Sequence, residues 1–493
     1  DSSATRVGQN GLIQTVGFFG SELVTNGTFD NNLNNWNVTL AGQTIEWDNG
    51  RVKYISDGAL AFLNQDITTV VGKVYRVTVD INVTIGNLGI TIGGQEVYGD
   101  GVQTLEMLFT ATGTTTVFGL KRKPGAAASG TFDNATFKEV TGDQPRLNYD
   151  VNNGAVQSCP SLLLEPASTN LITYSQDFSQ NSWVKQTGGI ASAPVVTGNY
   201  SISPDGTKNA DRIVFNINGG TTSADFSQIN DPVTASIGKV TNSVYIKSNT
   251  TSNYAMSLVN SNGTLVKTIL VTTEWQRFEV NATTTATGAS FRLRLRGNES
   301  TADYADVSIY GAQIEEHPYA TSLIPTYGVI QTRAAESCNN AGNAALFNDS
   351  EGVLYAEIES FISLDTVDPN RYITITNGTS NERIALLLGG NSNQLRAIIF
   401  SSSQSINLSF TTSLTEVKQF NKLAVRYKSG DYAFYLNGAE IGSSTESNIF
   451  SSNTLNNLSF NVGGGTQKFY GKCKDLRVYN EALTDAQLQT LTT

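Results

Sequence analysis

The chain has 493 residues, a formal net charge of −11 and a single histidine. That length exceeds one ordinary core and suggests about three domains. The acidity argues against nucleic acid, whose phosphates demand clustered Lys and Arg, and one histidine leaves little from which to build a Ser-His-Asp, Cys-His or multi-histidine metal site.

Abundant Thr, Ser, Asn and Gly with few helix formers predict an all-β chain rich in turns. No apolar run approaches the roughly 20 residues that span a bilayer, so no membrane insertion is expected. Cys159, Cys338 and Cys473 are widely spaced and form no C-x-x-C pair, so free thiols are expected. The first residue is Asp1, not Met, which leaves room for a leader before it.

In chain order, residues 1–20 are too few to fold alone and read as a docking arm. Residues 21–141 form a first module. Within it Tyr75, Val77, Val79, Ile81, Val83 and Ile85 alternate with polar residues, the period of a half-buried strand. Residues 142–170 read as a connector, interrupted by Pro145, Pro160 and Pro166 and anchored by Leu162 to Leu164. Residues 171–326 form a second module that repeats the plan of the first: SQDFSQNSW opens it as GTFDNNLNNW opens its predecessor. In FRLRLRG, Phe291, Leu293 and Leu295 point inward and Arg292, Arg294 and Arg296 outward, about 7 Å apart. That stripe is a solvated face, a subunit interface or a contact for acidic glycan.

A second connector, 327–343, leads to a third module, 344–493, of evenly spaced strands. Asn437-Gly438 supplies the positive φ angles of a two-residue hairpin turn. Thr484 with Gln487 makes a capping box for a short terminal helix carrying Leu488 and Leu491.

Several spaced segments carry a family resemblance. SATRVGQNGLIQTV near the start, QPRLNYD (144–150), PSLLLEPASTNLITYSQDF (160–178), YGAQIEE (310–316), YATSLIPT (319–326) and TRAAES (332–337) together resemble, in order, bacteriophage tail and head fibre proteins. In that family the first two segments nearly adjoin, which makes residues 21–141 look inserted. The ends of that insert, ELVTNGTFDNNLNNW and GTFDNATFKEV, resemble carbohydrate-binding-module jelly rolls, and the closing KCKDLRVYNEALTDAQLQTL resembles the concanavalin A or laminin-G lectin sandwich. The resemblance implies three tandem antiparallel β-sandwiches, a homotrimer on the virion surface, other virion proteins as partners and a cell-surface glycan as ligand. It also implies a structural calcium gathered by Glu22, Asp30 and Asp133 in the first module and by Asp177 with Asp306 in the second.

Sugar sites use aromatic rings as platforms beside amide and charged groups. Trp36, Trp183 and Trp275 sit where a module needs core pillars, whereas Trp47, beside the turn Asp48-Asn49, is a candidate platform with Tyr54 and Tyr98. Tyr435 and Asn437 are the candidates of the third module. Glu357 and Glu359 alternate without the third acid expected of the glucanases on that fold, and no catalytic residue is assigned. The expectation is a virion fibre or appendage protein that adheres weakly and multivalently to glycans. The alternatives are a decoration protein that binds no sugar and a secreted bacterial polysaccharide-binding protein.

Overall fold

The computed structural model describes residues 4–142, 145–152, 155–260, 265–299, 302–361, 371–389, 394–401, 404–411, 418–447 and 450–493. The chain is all-β, built of antiparallel sheets, with a single helix among the described residues, Asp485–Thr492. It divides into two compact units. Unit 1 comprises residues 1–144, 151–156 and 168–334, and unit 2 residues 145–150, 157–167 and 335–493.

Unit 1 holds the first two modules and the arm. In the first module nine strands share one hydrogen-bonded network around the long strands Val74–Ile92, Gln95–Thr110 and Ala128–Gly142. Tyr75, Val77, Val79 and Ile81 point into a core with Phe29, Trp36, Phe118 and Phe137, as the alternation predicts. Ile85 does not follow them: it is 60% exposed. The register shifts between Val83 and Leu88, and at Gly86 (φ 67°) a Cβ would lie 2.1 Å from the Ala127 carbonyl oxygen. This bulge turns the strand out of its plane.

The second module is a two-layer sandwich. One sheet runs Val184–Gly188, Phe226–Val233, Ala289–Arg296, Tyr254–Asn260, Leu265–Val271, and the other Ser192–Ser201, Ala210–Asn216, Tyr304–Glu315, Gly238–Ser248, Gln276–Thr284. Between them lie Phe178, Trp183, Phe215, Phe291, Leu293 and Leu295. Trp36 and Trp183 are core pillars; Trp275 is only partly buried and belongs to a smaller cluster with Ile13 and Tyr310. The arm folds back as a hairpin, Thr5–Val7 against Ile13–Thr15. It docks on the second module of its own chain, through Ile13 N–H to the Pro204 carbonyl (2.9 Å) and Thr5 Oγ1 to the Leu323 carbonyl (2.6 Å).

Unit 2 is the lectin-like sandwich. A five-stranded sheet, Gln404–Thr411, Gln394–Ser401, Glu382–Gly389, Arg371–Thr376, Asn457–Ser459, faces a seven-stranded one that includes Gly471–Tyr479, Glu351–Ser360, Asn421–Lys428 and Tyr432–Leu436. The stretch read as a connector supplies edge strands to the larger sheet: Leu147–Asn148 pairs Ser161–Leu164, which pairs Gly471–Tyr479. The leucine anchor is therefore internal, with Leu164 in the sandwich core. Arg146, 1% exposed, fastens this edge, with Nη1 2.8 Å from Glu165 and Nε 2.5 Å from Glu336. Asn437 (φ 47°) and Gly438 (φ 83°) make the expected hairpin turn, and the capping box of Thr484 and Gln487 is formed.

Candidate functional site

The residues singled out from sequence do not assemble into one site. Trp47 is 42% exposed at a hairpin end, its indole N–H donating to the Phe29 carbonyl (2.7 Å), so its ring remains open to solvent. Tyr54 is a correction. It is fully buried, its hydroxyl bonded to the Ala61 carbonyl (2.8 Å) and its ring edge-on to Phe132, and such a ring cannot stack a sugar. Tyr98 is 8% exposed and donates to Glu96 (2.8 Å), a carboxylate also paired with Lys121. In unit 2, Tyr435 is a second correction: at 4% exposure it packs with Leu488 beneath the terminal helix. Asn437 is exposed but its amide staples the hairpin, accepting from Lys422 N–H and donating to Asn421 (both 2.9 Å).

The acids expected to gather calcium, Glu22, Asp30 and Asp133 in the first module and Asp177 with Asp306 in the second, each have partners of their own. Glu22 accepts three backbone N–H groups, from Leu23, Val24 and Phe137, and so joins the opening of the first module to its closing strand directly. Asp30 accepts from Thr28 and Asp133 from Asn134 N–H. Asp177 caps its own turn through Ser179 N–H and Gln180. Asp306 is held by both forks of Arg212 (2.8 and 2.5 Å), which keep its carboxyl below the usual range. Among the described residues no group of three His, Cys, Asp or Glu could hold a metal ion.

The site that sequence reasoning missed is a cleft of about 560 Å³ in unit 1, lined by the arm and both modules. Its volume lies in the range of small-ligand pockets. Phe19, 38% exposed, forms one wall, with the Arg76 guanidinium stacked 5.1 Å from its centroid. Arg76 is paired with Glu106 (2.5 Å), which also accepts from Thr15 of the arm (2.5 Å). Asp205, which also lines the cleft, accepts five hydrogen bonds, from Ser203, Thr207 N–H and Oγ1, Asn209 and Tyr310. Burial raises the phenols of Tyr310 and Tyr327 far above the ordinary value, so both remain protonated donors. Both Asp205 oxygens are engaged as acceptors. The cleft thus brings together an aromatic ring, a cation and fixed acceptors.

One signal could have found it. Thr5, Ile13, Thr15, Gln176, Tyr310 and Pro325 line the cleft and come from four of the segments quoted for the fibre resemblance. Arg146 and Glu336 come from the remaining two, and Glu165 from the same segment as Gln176. Segments far apart in sequence converge on two loci, and only the fold makes that visible.

A third surface is the outer face of the second module's sheet that contains Ala289–Arg296. With Phe291, Leu293 and Leu295 in the core, Arg292, Arg294 and Arg296 all lie on this face. Glu299 neutralises Arg294 through two bonds (2.8 and 2.6 Å) and approaches Arg296 at 3.4 Å.

Residues 358–489 match the family model of the concanavalin A-like lectin/glucanases superfamily. The matched stretch lies within unit 2. No curated protein matches the chain. Among solved structures, domain 4 of a GH43 extracellular arabinanase from Geobacillus stearothermophilus, in complex with arabinotriose, is 20% identical with a TM-score of 0.26, over 31% of this chain and 71% of that one. The CBM40 of a Ruminococcus gnavus IT-sialidase is 16% identical with a TM-score of 0.27, over 32% and 97%. A CBM22 tandem domain from a Paenibacillus barcinonensis protein is 10% identical with a TM-score of 0.21, over 60% and 98%. At such TM-scores these likenesses identify neither ligand nor activity.

Proposed function

We propose that the chain is a multi-module glycan-binding protein of a bacteriophage particle, exposed on the virion surface as a trimeric fibre or appendage, and that it binds without catalysis. The observation that carries the glycan reading is the match of residues 358–489 to the lectin/glucanases superfamily, in a unit whose strands form the corresponding two-sheet sandwich. The cleft of unit 1 supports it, because the ring of Phe19, the Arg76 guanidinium and the carboxylates of Glu106 and Asp205 converge there. The virion reading rests on the order of the fibre-like segments. With several shallow sites per chain, avidity would offset weak single contacts.

A second reading, a decoration protein that binds no sugar, is favoured by one observation: the fibre-like segments meet at internal contacts, the arm against Leu323 and Arg146 against Glu165. The test is a glycan array with the full chain, carrying capsular and lipopolysaccharide-derived glycans, followed by titration of each hit. Binding to defined glycans without chain shortening is expected. Silence across the array would establish the second reading, and release of new reducing ends would overturn the absence of catalysis.

A further inference from the structure

Arg292 stands apart from its two neighbours on the stripe. Its Nε donates to Asn230 Oδ1 at 3.1 Å, and among the described residues no carboxylate lies within ion-pair distance of it. Glu299 serves Arg294 and Arg296. The face therefore carries three guanidinium groups against one carboxylate, in a chain whose net charge is −11. Arg292 is also half-buried, and both burial and the adjoining Arg294 push its pKa down. A partly desolvated cation beside a second cation is costly unless something brings a negative charge to it.

The surroundings state what kind of negative group fits. In the sheet register Arg292 stands opposite Asn230 on one side and Val259 on the other, while Arg294 stands opposite Gln228 and Ser257. Gln228 pairs in turn with Gln186. The Ser257 hydroxyl is enclosed and has no hydrogen-bond partner. Of these groups Gln228, Asn230, Ser257 and Arg294 are buried, and the Gln186 amide and the Arg292 guanidinium are the partly open ones. Amides match sugar hydroxyls, and the free end of the Arg292 fork matches a carboxylate held in its plane.

We propose that this face of the second module binds a carboxylate-bearing polysaccharide, a uronic-acid polymer or a sialylated chain, with the sugar carboxylate on Arg292 and a hydroxyl on Gln186. The assignment rests on the glycan-binding reading and names its ligand class. Charge complementarity selects this occupant: a neutral glycan would leave Arg292 as it stands, without a counter-charge.

The test uses the full chain, with polygalacturonate and alginate as carboxylated probes, neutral galactan as control, and heparin and polyglutamate as anions of other kinds. Isothermal titration calorimetry at two salt concentrations is the readout, and circular dichroism confirms folding. The wild type is expected to bind a carboxylated polysaccharide, more weakly at higher salt. R292Q should lose at least tenfold in affinity. R292K, which keeps the charge but not the fork, should lose several-fold and covers the case in which R292Q fails to fold. Equal affinity of wild type and both variants would overturn the proposal, as would preference for heparin or polyglutamate, or dimerisation abolished by R292Q. If galactan or other neutral glycans bind while the carboxylated probes do not, this inference falls and the glycan reading stands. If no glycan binds, both fall.

Discussion

Arg146→Ala tests how unit 2 is closed. The guanidinium is 1% exposed and lies between Glu165, itself 2% exposed, and Glu336. Although burial opposes the charge, the two carboxylates hold its pKa above the ordinary arginine value. Removing it takes the guanidinium away from both carboxylates at once, and breaking a buried ion pair from one side costs about 3–5 kcal/mol. At roughly 2–4 °C per kcal/mol for a unit of this size, the transition of unit 2 should fall by about 6–20 °C. All four tryptophans, at 36, 47, 183 and 275, lie in unit 1. Calorimetry should therefore show one transition displaced while the tryptophan fluorescence transition stays in place. The loss should ease in acid, where the orphaned carboxyls protonate: their folded pKa would be raised, so stability is recovered as pH falls below it. A triple variant, R146M with E165Q and E336Q, should regain most of the stability because no charge is left buried. A shift below 1 kcal/mol, or a shift confined to the fluorescence transition, would refute this account of the edge.

Burial alone pushes Asp231, in the second module, up to about 7. The folded chain then holds a proton that the unfolded chain releases near pH 4, so this contribution is full below pH 4 and is lost as pH rises to about 7. Unit 1 should melt at lower temperature at pH 7 than at pH 4.5, and D231N should reduce that slope when followed by tryptophan fluorescence, leaving the share of Asp211, which burial likewise pushes up, to about 8. In unit 2, Thr484→Ala removes the cap of Asp485–Thr492 and should cost about 1 kcal/mol. Glycan affinity should be unchanged, because Tyr435 beneath the helix is a packing residue; an equal loss of affinity in T484A would restore it as a ligand residue.

What was legible in the sequence was local. The alternation at Tyr75 to Ile81, the Asn437-Gly438 turn and the capping box each depend on neighbours within a few residues, and each is present. What was not legible was which face of a strand stays open. A period of two assigns Tyr435 and Phe434 to opposite faces, but the terminal helix that covers the tyrosine follows some fifty residues later in the sequence. The same limit applies to Tyr54, which stands beside a polar turn yet faces the core. The cleft escaped because its walls come from segments that the period of a strand cannot relate.

The segmentation of unit 2 bears on how the chain can be made. Ser161–Leu164 is synthesised long before the strand it pairs with, Gly471–Tyr479. Until then the early strand has no ladder to join, and closing so long a loop is slow. A fragment beginning near residue 344 would reverse the problem, leaving Gly471–Tyr479 as a bare edge inviting another chain to add to it. Unit 2 is thus a fold that closes only once Gly471–Tyr479 has been made, and versions lacking either partner strand are expected to aggregate where the chain with both does not.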